Sequence, residues 1–338
     1  MTTDRLPDTD VGSIAAAAGL RYTSDEAPGI SRRRRGTGFS YHGPRGGAIS
    51  DTVRARIDEL AVPPAWTDVW ISPDPDGHLL ATGRDDRDRK QYLYHERWRE
   101  VRDEQKFERL VGFADGLIDL RKEVAADLRR RTLDERRVVA AVIHLLDRTL
   151  IRIGNERYAA ENETFGLTTL EPEHVRGDGP VRTFEFVGKG GSDWQVEVSE
   201  RRVVSVIDAC LGLGQPQLFA FRGADGRVID VTADHVNERL RSIGGPDATA
   251  KTFRTWGGTV VAVETLAQHG AEVLDETALI GAVDAAAEAL GNTRAVCRAC
   301  YVAPRVFDRT DRLDDAWRSS RSSRWRTRAE SATVKLLT

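Results

Sequence analysis

The chain has 338 residues, which is enough for two domains, and its formal net charge of −3 does not by itself favour a nucleic-acid partner. Its three cysteines are too few for a disulfide framework, and no apolar run approaches the ~20 residues of a membrane span. The acidic, polar start MTTDRLPDTD does not resemble a signal peptide. These features predict a soluble cytoplasmic protein.

The amino-terminal quarter of the chain is typical of a small β-rich domain. Residues 1–18 show no sustained periodicity, which predicts a disordered tail. Over residues 19–95, the stretches LRYTS and GFSYHG predict strands, and TDVWISPDPDGHLLATG predicts a hairpin with its turn at PDPDG. Between these strands and the hairpin, Ser50 is expected to cap a helix over DTVRARIDELAV that Pro63 and Pro64 stop.

Residues 96–310 predict a larger, mainly helical domain. Thr132 and Glu135 form a capping-box pattern before an apolar helical repeat that Gly154 is expected to end. The alternating sequence TFEFVGKGGSDWQVEV predicts a hairpin with Lys189 at its tip. Further helices are expected at 232–243, 252–268 and 274–290, the last one closed by Gly291. The fold class is therefore α+β.

Arginine is unevenly distributed along the chain. It is concentrated in RRRR (32–35), RDDRDRK (84–90), RRR (129–131) and WRSSRSSRWRTR (317–328), the last lying in a predicted Arg-rich carboxy-terminal tail, 311–338. Such clusters are either solvated faces or phosphate contacts, and the sequence leaves both interpretations open.

A Cys-x-x-Cys pair, Cys297 and Cys300, directly precedes Tyr301. Zinc would need two more ligands at metal spacing, and neither a second such pair nor a His-x3-5-His motif occurs. A redox dithiol should open a helix after a strand, whereas this pair follows a helix and a glycine cap. Buried structural cysteines are the favoured interpretation, and no metal site is predicted.

Five separated stretches of the chain resemble one enzyme family, in the correct order. They are GRDDRDRKQYLYH (83–95), LIRIGNERYAAENETFGLTTL (150–170), FVGKGG (186–191), KTFRTWGG (251–258) and LGNTRAVCRACYVAP (290–304). Together they resemble the type IB DNA topoisomerases, most closely the small bacterial and poxvirus-like members, over roughly residues 20–310. Each motif alone has an ordinary structural explanation, so the specificity lies in the set.

The resemblance implies a catalytic set and a reaction. Tyr301 would attack a DNA phosphodiester and become linked to the 3′-phosphate, while Arg152 and Arg254 would bind its nonbridging oxygens. Lys189 would protonate the departing 5′-oxygen as general acid. Asn292 stands where many members carry histidine, and it is expected to bind a phosphate oxygen without carrying a proton.

The resemblance also implies partners and architecture. Duplex DNA is the expected partner, contacted by Arg89, Gln91, Tyr92, Tyr94 and Lys251. The family fold is a β-rich domain joined to a helical catalytic domain, closing around DNA as a monomeric C-shaped clamp associated with the nucleoid. No cofactor is expected, because the phosphotyrosine bond conserves the energy of resealing and no GxxxxGK[ST] nucleotide motif occurs.

Two alternatives remain at this point. Tyrosine recombinases share the catalytic fold and the Arg, Lys, Arg, Tyr order, but they usually carry His-x-x-Arg where this chain reads Lys251-Thr-Phe-Arg254. A catalytically silent DNA-binding clamp is the other alternative, which the intact set of core residues disfavours.

Overall fold

A computed structural model of the chain describes residues 8–269 and 274–338. The chain divides into two compact units, residues 1–106 and 107–338. Across the described residues, no helix has the length and apolar character needed to cross a bilayer.

The first unit is built on a five-stranded antiparallel sheet in the order β2-β1-β3-β4-β5. Its strands are β1 (Ile30–Arg35), β2 (Gly38–His42), β3 (Thr67–Ile71), β4 (Leu79–Arg84) and β5 (Lys90–Tyr94). Helix α2 (Asp51–Glu59) packs Ile57 into the apolar core of this sheet, and Ser50 caps it as predicted. The predicted hairpin is confirmed as β3 and β4. LRYTS is not a strand, since only an isolated bridge joins Arg21 to Gly77.

The prediction of a disordered tail over residues 1–18 is wrong for most of that stretch. Helix α1 (Asp8–Ala17) buries Ile14 and Ala15 in a small cluster with Leu20 and Trp98. Its alanine-rich sequence has little amphipathic periodicity, but alanine is the best helix former and packs closely. Residues 1–7 of the predicted tail lie outside the described part of the chain.

The second unit is mainly helical, with two small sheets. A three-stranded sheet in the order β6-β7-β8 and a two-stranded sheet, β9 with β10, complete it. The strands are β6 (Val175–Arg176), β7 (Arg182–Gly188), β8 (Ser192–Val198), β9 (Ala220–Arg222) and β10 (Val228–Asp230). The longer helices are α3 (Glu96–Asp127, which begins in the first unit), α4 (Glu135–Thr149), α6 (Arg201–Leu211), α7 (Ala233–Gly244), α8 (Ala250–Gln268) and α9 (Glu276–Leu290). The shorter helices are α5 (Glu156–Asn162), α10 (Arg294–Cys300), α11 (Arg305–Asp308), α12 (Leu313–Arg318) and α13 (Arg328–Leu337).

Helix α4 lies in the apolar core of the second unit, and its ends differ from the prediction. Asp134, not Thr132, is the N-cap, because its carboxylate accepts the backbone N–H of Arg137 at 3.1 Å. The helix ends at Thr149, since Leu150 adopts a left-handed conformation with φ of 56°. The chain therefore leaves the helix before Gly154, and the residues that follow form a loop that carries Arg152.

The prediction of a carboxy-terminal tail over residues 311–338 is also wrong. Helix α13 buries Ala332, Leu336 and Leu337 in the core of the second unit. Its Glu330, in a capping box with Thr327, binds Arg121 of α3. Arginines gave this segment the composition of a solvated tail, but Arg326 donates to the carbonyl of Ala114 in α3, and Arg328 donates to the carbonyl of Trp317 within the segment.

Candidate active site

Arg254 is a buried cation on helix α8. It is 3% exposed, and its Nη1 and Nη2 donate to the carbonyls of Leu150 and Leu290, the latter at 2.7 Å. Burial, followed by the positive charge of Arg152, lowers the pKa of Arg254 to about 10. Its Nε has no hydrogen-bond partner within the described residues. Among the described residues, this buried guanidinium bonds to neutral carbonyls and to no carboxylate, which leaves the site with excess positive charge.

Arg152 and Asn292 form the second part of the site. Nη2 of Arg152 donates to the side-chain oxygen of Asn292 and to the carbonyl of Gly291, the latter at 3.3 Å. Burial lowers the pKa of Arg152. The left-handed turn at Leu150 and the glycine cap of α9 at Gly291 bring these two loops together.

Three buried N–H donors in this group lack a protein partner among the described residues: Nη1 of Arg152, Nε of Arg254 and Nδ2 of Asn292. A buried unsatisfied donor costs roughly 1–3 kcal/mol, so a folded protein rarely keeps several together without a purpose. Their common chemistry is donation from positively charged or amide nitrogen. The group is suited to an anion with several acceptor oxygens, such as a phosphodiester.

Tyr301 lies beside these donors. The Arg254 guanidinium carbon is 5.3 Å from the centre of the Tyr301 ring, and the side chain of Tyr301 is half-buried. The Thr259 hydroxyl contacts the Tyr301 carbonyl at 3.3 Å and accepts the Ala303 N–H at 3.1 Å. Helix α8 therefore supplies both Arg254 and the residue that holds the tyrosine backbone.

Two glycines allow α8 to approach the site closely. A Cβ added to Gly258 would lie 2.8 Å from the carbonyl oxygen of Tyr301, and one added to Gly257 would overlap the side chain of Leu150. Gly257, Gly258 and Thr259 were not among the predicted site residues. The signal available was the pair of glycines inside a predicted helix, a position where glycine is unfavourable without a packing reason.

Lys189 differs from the buried donors because its side chain is exposed at the tip of the hairpin between β7 and β8. Gly190 and Gly191, with φ of 87° and 77°, form the turn beside it. The predicted hairpin is confirmed, with Phe184 opposite Val196 in its register. Its strand β7 is held to the loop after α5 by a bond from the Phe165 N–H to the Val187 carbonyl at 2.8 Å.

The two cysteines before Tyr301 are free thiols on α10. Cys297 is fully buried, and burial raises the pKa of its thiol to about 11, so it is unreactive near neutral pH. Cys300 is only half-buried, contrary to the interpretation that both are buried. Among the described residues, no three His, Cys, Asp or Glu side chains are grouped so as to hold a metal ion.

The predicted DNA contacts of the first unit are ordered by neighbouring residues. Asp85 binds Arg89 and Gln91 at 2.7 and 2.8 Å, and the hydrogen bond from Arg89 lowers the pKa of Asp85 to about 2. The Tyr92 and Tyr94 rings are nearly parallel, with centres 6.0 Å apart. In the second unit, Lys251 is exposed in the first turn of α8.

Comparison with known protein families identifies the chain. A family model described as "Eukaryotic DNA topoisomerase I, catalytic core" matches residues 95–323, and one described as "Bacterial DNA topoisomerase IB, N-terminal domain" matches residues 38–85. The first match covers most of the second unit and includes every predicted catalytic position. The chain belongs to the type IB DNA topoisomerase family.

Individual relatives agree with this assignment. The chain is 28% identical over 243 residues to "DNA topoisomerase 1B" of Acanthamoeba polyphaga mimivirus, covering 70% of this chain and 72% of the viral protein. It is 30% identical over 128 residues to "DNA topoisomerase 1" of Daucus carota, covering 37% of this chain. That alignment spans only 15% of the plant protein, so the chain matches a small part of it. These relatives are topoisomerases by name, which disfavours the recombinase alternative.

Proposed function

We propose that this topoisomerase relaxes supercoiled duplex DNA by cutting and resealing one strand through a phosphotyrosine bond at Tyr301. The observation that carries the proposal is the cluster of N–H donors on Arg152, Arg254 and Asn292, next to the Tyr301 ring, that have no hydrogen-bond partner in the described part of the chain. A scissile phosphate bound there would accept all three hydrogen bonds. The desolvation that disfavours these groups in the free protein would then be offset when DNA is bound.

The proposed cleavage step exchanges one phosphoester for another. The Tyr301 hydroxyl loses its proton to water, and its oxygen attacks phosphorus while the bond from phosphorus to the 5′-oxygen breaks. The 3′-phosphate remains on the tyrosine, and the 5′-oxygen leaves as a hydroxyl. Resealing is the reverse reaction. A free phenol has a pKa of ~10, so its anion is a better leaving group than an alkoxide and resealing needs no ATP.

Two further tasks in the reaction, stabilisation of the transition-state charge and protonation of the leaving oxygen, are assigned to different residues. Negative charge grows on the nonbridging oxygens in the transition state, and the guanidinium groups of Arg152 and Arg254 stabilise it without a metal ion. The departing 5′-oxygen needs a proton, which we assign to Lys189 at the hairpin tip. The exposure of Lys189 supports this assignment, because a group that acts on the leaving strand must reach outside the buried pocket.

The proposal also covers the DNA contacts, the oligomeric state and the cellular location of the protein. We propose that Arg89, Gln91, Tyr92, Tyr94 and Lys251 contact the duplex, and that the protein acts as a monomer in the bacterial cytoplasm, associated with the nucleoid. No cofactor is assigned. The stacked tyrosines and the Asp85-ordered Arg89 and Gln91 support a preformed contact surface on β5.

The test combines relaxation with covalent trapping. The purified protein should relax both positively and negatively supercoiled plasmid in EDTA without nucleotide, and it should form a protein–DNA adduct that survives denaturant. Tyr301→Phe should bind the same duplex and form no adduct, because only the nucleophilic oxygen is removed. A requirement for magnesium or ATP, or an adduct in the Phe variant, would overturn the proposal. Binding without relaxation or adduct in the unaltered protein would identify a silent clamp.

A further inference from the structure

We propose that Trp194 is a positioning residue that fixes the Lys189 hairpin to the phosphate-binding loop at Asn292. The inference rests on the proposed function, in which Lys189 donates a proton and Asn292 binds the phosphate. It adds Trp194 as a residue that acts through those two groups by setting the distance between them.

One edge of the Trp194 indole contacts the hairpin just before Lys189. Trp194 lies on β8 opposite Phe186 of β7, and their rings stack with centres 6.1 Å apart and planes 4° apart. A Cβ added to Gly188 would lie 2.6 Å from Nε1 of Trp194, so only glycine fits at this close approach. The same Nε1 donates to the Ser192 hydroxyl at 3.2 Å. The indole thus packs against the residue that immediately precedes Lys189.

The continuation of the same nitrogen-bearing edge of the indole contacts the phosphate-binding loop just before Asn292. A Cβ added to Gly291 would lie 2.7 Å from Cζ2 of Trp194. Gly291 closes α9 with φ of 55°, and its carbonyl accepts a hydrogen bond from Arg152 at 3.3 Å. One rigid side chain therefore lies between two glycines, and each glycine is followed by a residue of the proposed site.

This arrangement solves a geometric problem of the proposed mechanism. Lys189 is exposed, and the two glycines after it give the turn little stiffness of its own. Proton transfer needs a heavy-atom distance of about 2.6–3.2 Å, and a displacement of about 1 Å can cost 10²-fold in rate. A planar indole has few rotamers and a large contact area, so it can hold the base of the hairpin against the pocket at low entropic cost.

The experiment compares two DNA substrates that differ in one atom. One is an ordinary suicide duplex, and the other carries sulfur in place of the bridging 5′-oxygen. A thiol leaving group, with a pKa of ~8.5, needs no proton donor. The readout is the ratio of the single-turnover cleavage rate on sulfur to that on oxygen, which isolates delivery of the proton from general loss of structure.

We expect Trp194→Ala to slow cleavage of ordinary DNA by about 10²-fold, no more than Lys189→Ala does, and to cleave the sulfur substrate at nearly the unaltered rate. Trp194→Leu should also raise the ratio, since it keeps apolar bulk but cannot reach both glycines. The sulfur-to-oxygen rate ratio of Trp194→Phe should lie between the ratios of these two variants. If the alanine variant does not fold, the leucine variant decides the matter.

Trp317→Ala is the matched control. Trp317 is also a half-buried tryptophan, but it packs against Arg328 in the carboxy-terminal segment. Its loss should lower thermal stability and leave the sulfur-to-oxygen ratio unchanged. The ratio rising in Lys189→Ala but staying constant in both Trp194→Ala and Trp194→Leu would overturn this inference and leave the proposed role of Lys189 intact. A constant ratio in Lys189→Ala itself would overturn that role, and this inference with it.

Discussion

Arg254 and Arg121 are both substantially buried arginines of the second unit, and they are bonded in opposite ways. All three nitrogens of Arg121 donate, reaching Asp147 of α4, Glu330 of α13 and the carbonyl of Trp325. Within the described residues, Arg254 has no carboxylate partner and its Nε has no hydrogen-bond acceptor. The first arrangement stabilises the fold, and the second agrees with the proposed binding of a phosphate by Arg254.

The pKa shifts of the two arginines follow the same division. Burial alone would lower the pKa of Arg121, but its hydrogen bonds to Asp147 and Glu330 outweigh burial and raise the pKa. For Arg254, burial is reinforced by Arg152 and the pKa falls. The number of arginines in a segment therefore predicts less about DNA binding than the number of their donors that the protein leaves unpaired.

The largest expected effect comes from deleting residues 311–338, which carry the bonded arginines of the carboxy-terminal segment. The deletion removes Leu336 and Leu337 from the core, at a loss of about 1.5–3 kcal/mol of stability each. It also removes Glu330, so that Arg121 keeps its ion pair with Asp147 but loses the one with Glu330. Because small domains have only about 5–15 kcal/mol of stability, the truncated unit should not fold. Loss of the cooperative thermal transition by near-UV circular dichroism checks this. An intact transition with weaker DNA binding would restore the tail interpretation.

Arg121→Met should cause the next largest effect, and it should act on stability. The substitution leaves two buried carboxylates, with side-chain exposures of 10% and 7%, without their cation. Breaking a buried ion pair costs about 3–5 kcal/mol. Urea unfolding measures the loss. At a temperature where the variant is folded, its single-turnover cleavage rate should stay within about tenfold of the unaltered enzyme.

Arg254→Met is the matched substitution in the pocket. In contrast to Arg121→Met, it should affect the cleavage rate more than the stability. Cleavage should slow by about 10²–10³, the usual result of removing one charge-stabilising donor, and sulfur at the leaving position should not rescue it. The free energy of unfolding should fall by less than in Arg121→Met, because removing a buried charge that has no counter-ion offsets the loss of two hydrogen bonds to carbonyls. Equal stability losses in the two variants would break the comparison.

The smallest expected effect is on the pH dependence of stability, and it concerns the surface ion pair between Arg130 and Asp134. The Arg130 guanidinium holds the pKa of Asp134 at about 2, below its ordinary 3.8. A lowered folded-state pKa contributes stability at neutral pH that is lost as pH falls from about 4 towards 2. Asp134→Asn keeps an N-cap but removes the charge, so it should cost about 0.5–1 kcal/mol at pH 7. In urea unfolding at pH 2.5, which is still above the folded-state pKa, that gap should have shrunk to roughly a third of its value at pH 7; a constant gap would show that the cap alone matters.

Much of the second unit could be predicted because its signals are local. Alternation in the sequence predicted the β7–β8 hairpin, and apolar spacing with Gly291 predicted α9 and its cap. The site residues came from the order of five motifs, and their roles stay predictions until tested. What remained hidden depends on distant partners. No local rule chooses Asp134 over Thr132 as the cap, and none shows that Arg326 and the carbonyl of Trp325 bond to α3.

The paired glycines of α8 have a practical consequence for engineering a more heat-resistant enzyme. Replacing glycine by alanine inside a helix is a common stabilising substitution, worth up to about 1 kcal/mol. At Gly112 of α3 and Gly281 of α9, an added Cβ meets nothing within 4 Å, so alanine should raise the melting temperature at no cost to turnover. At Gly258 the same change would push on the carbonyl of Tyr301. A library that replaces every helical glycine would therefore improve the scaffold and damage the enzyme in the same variants.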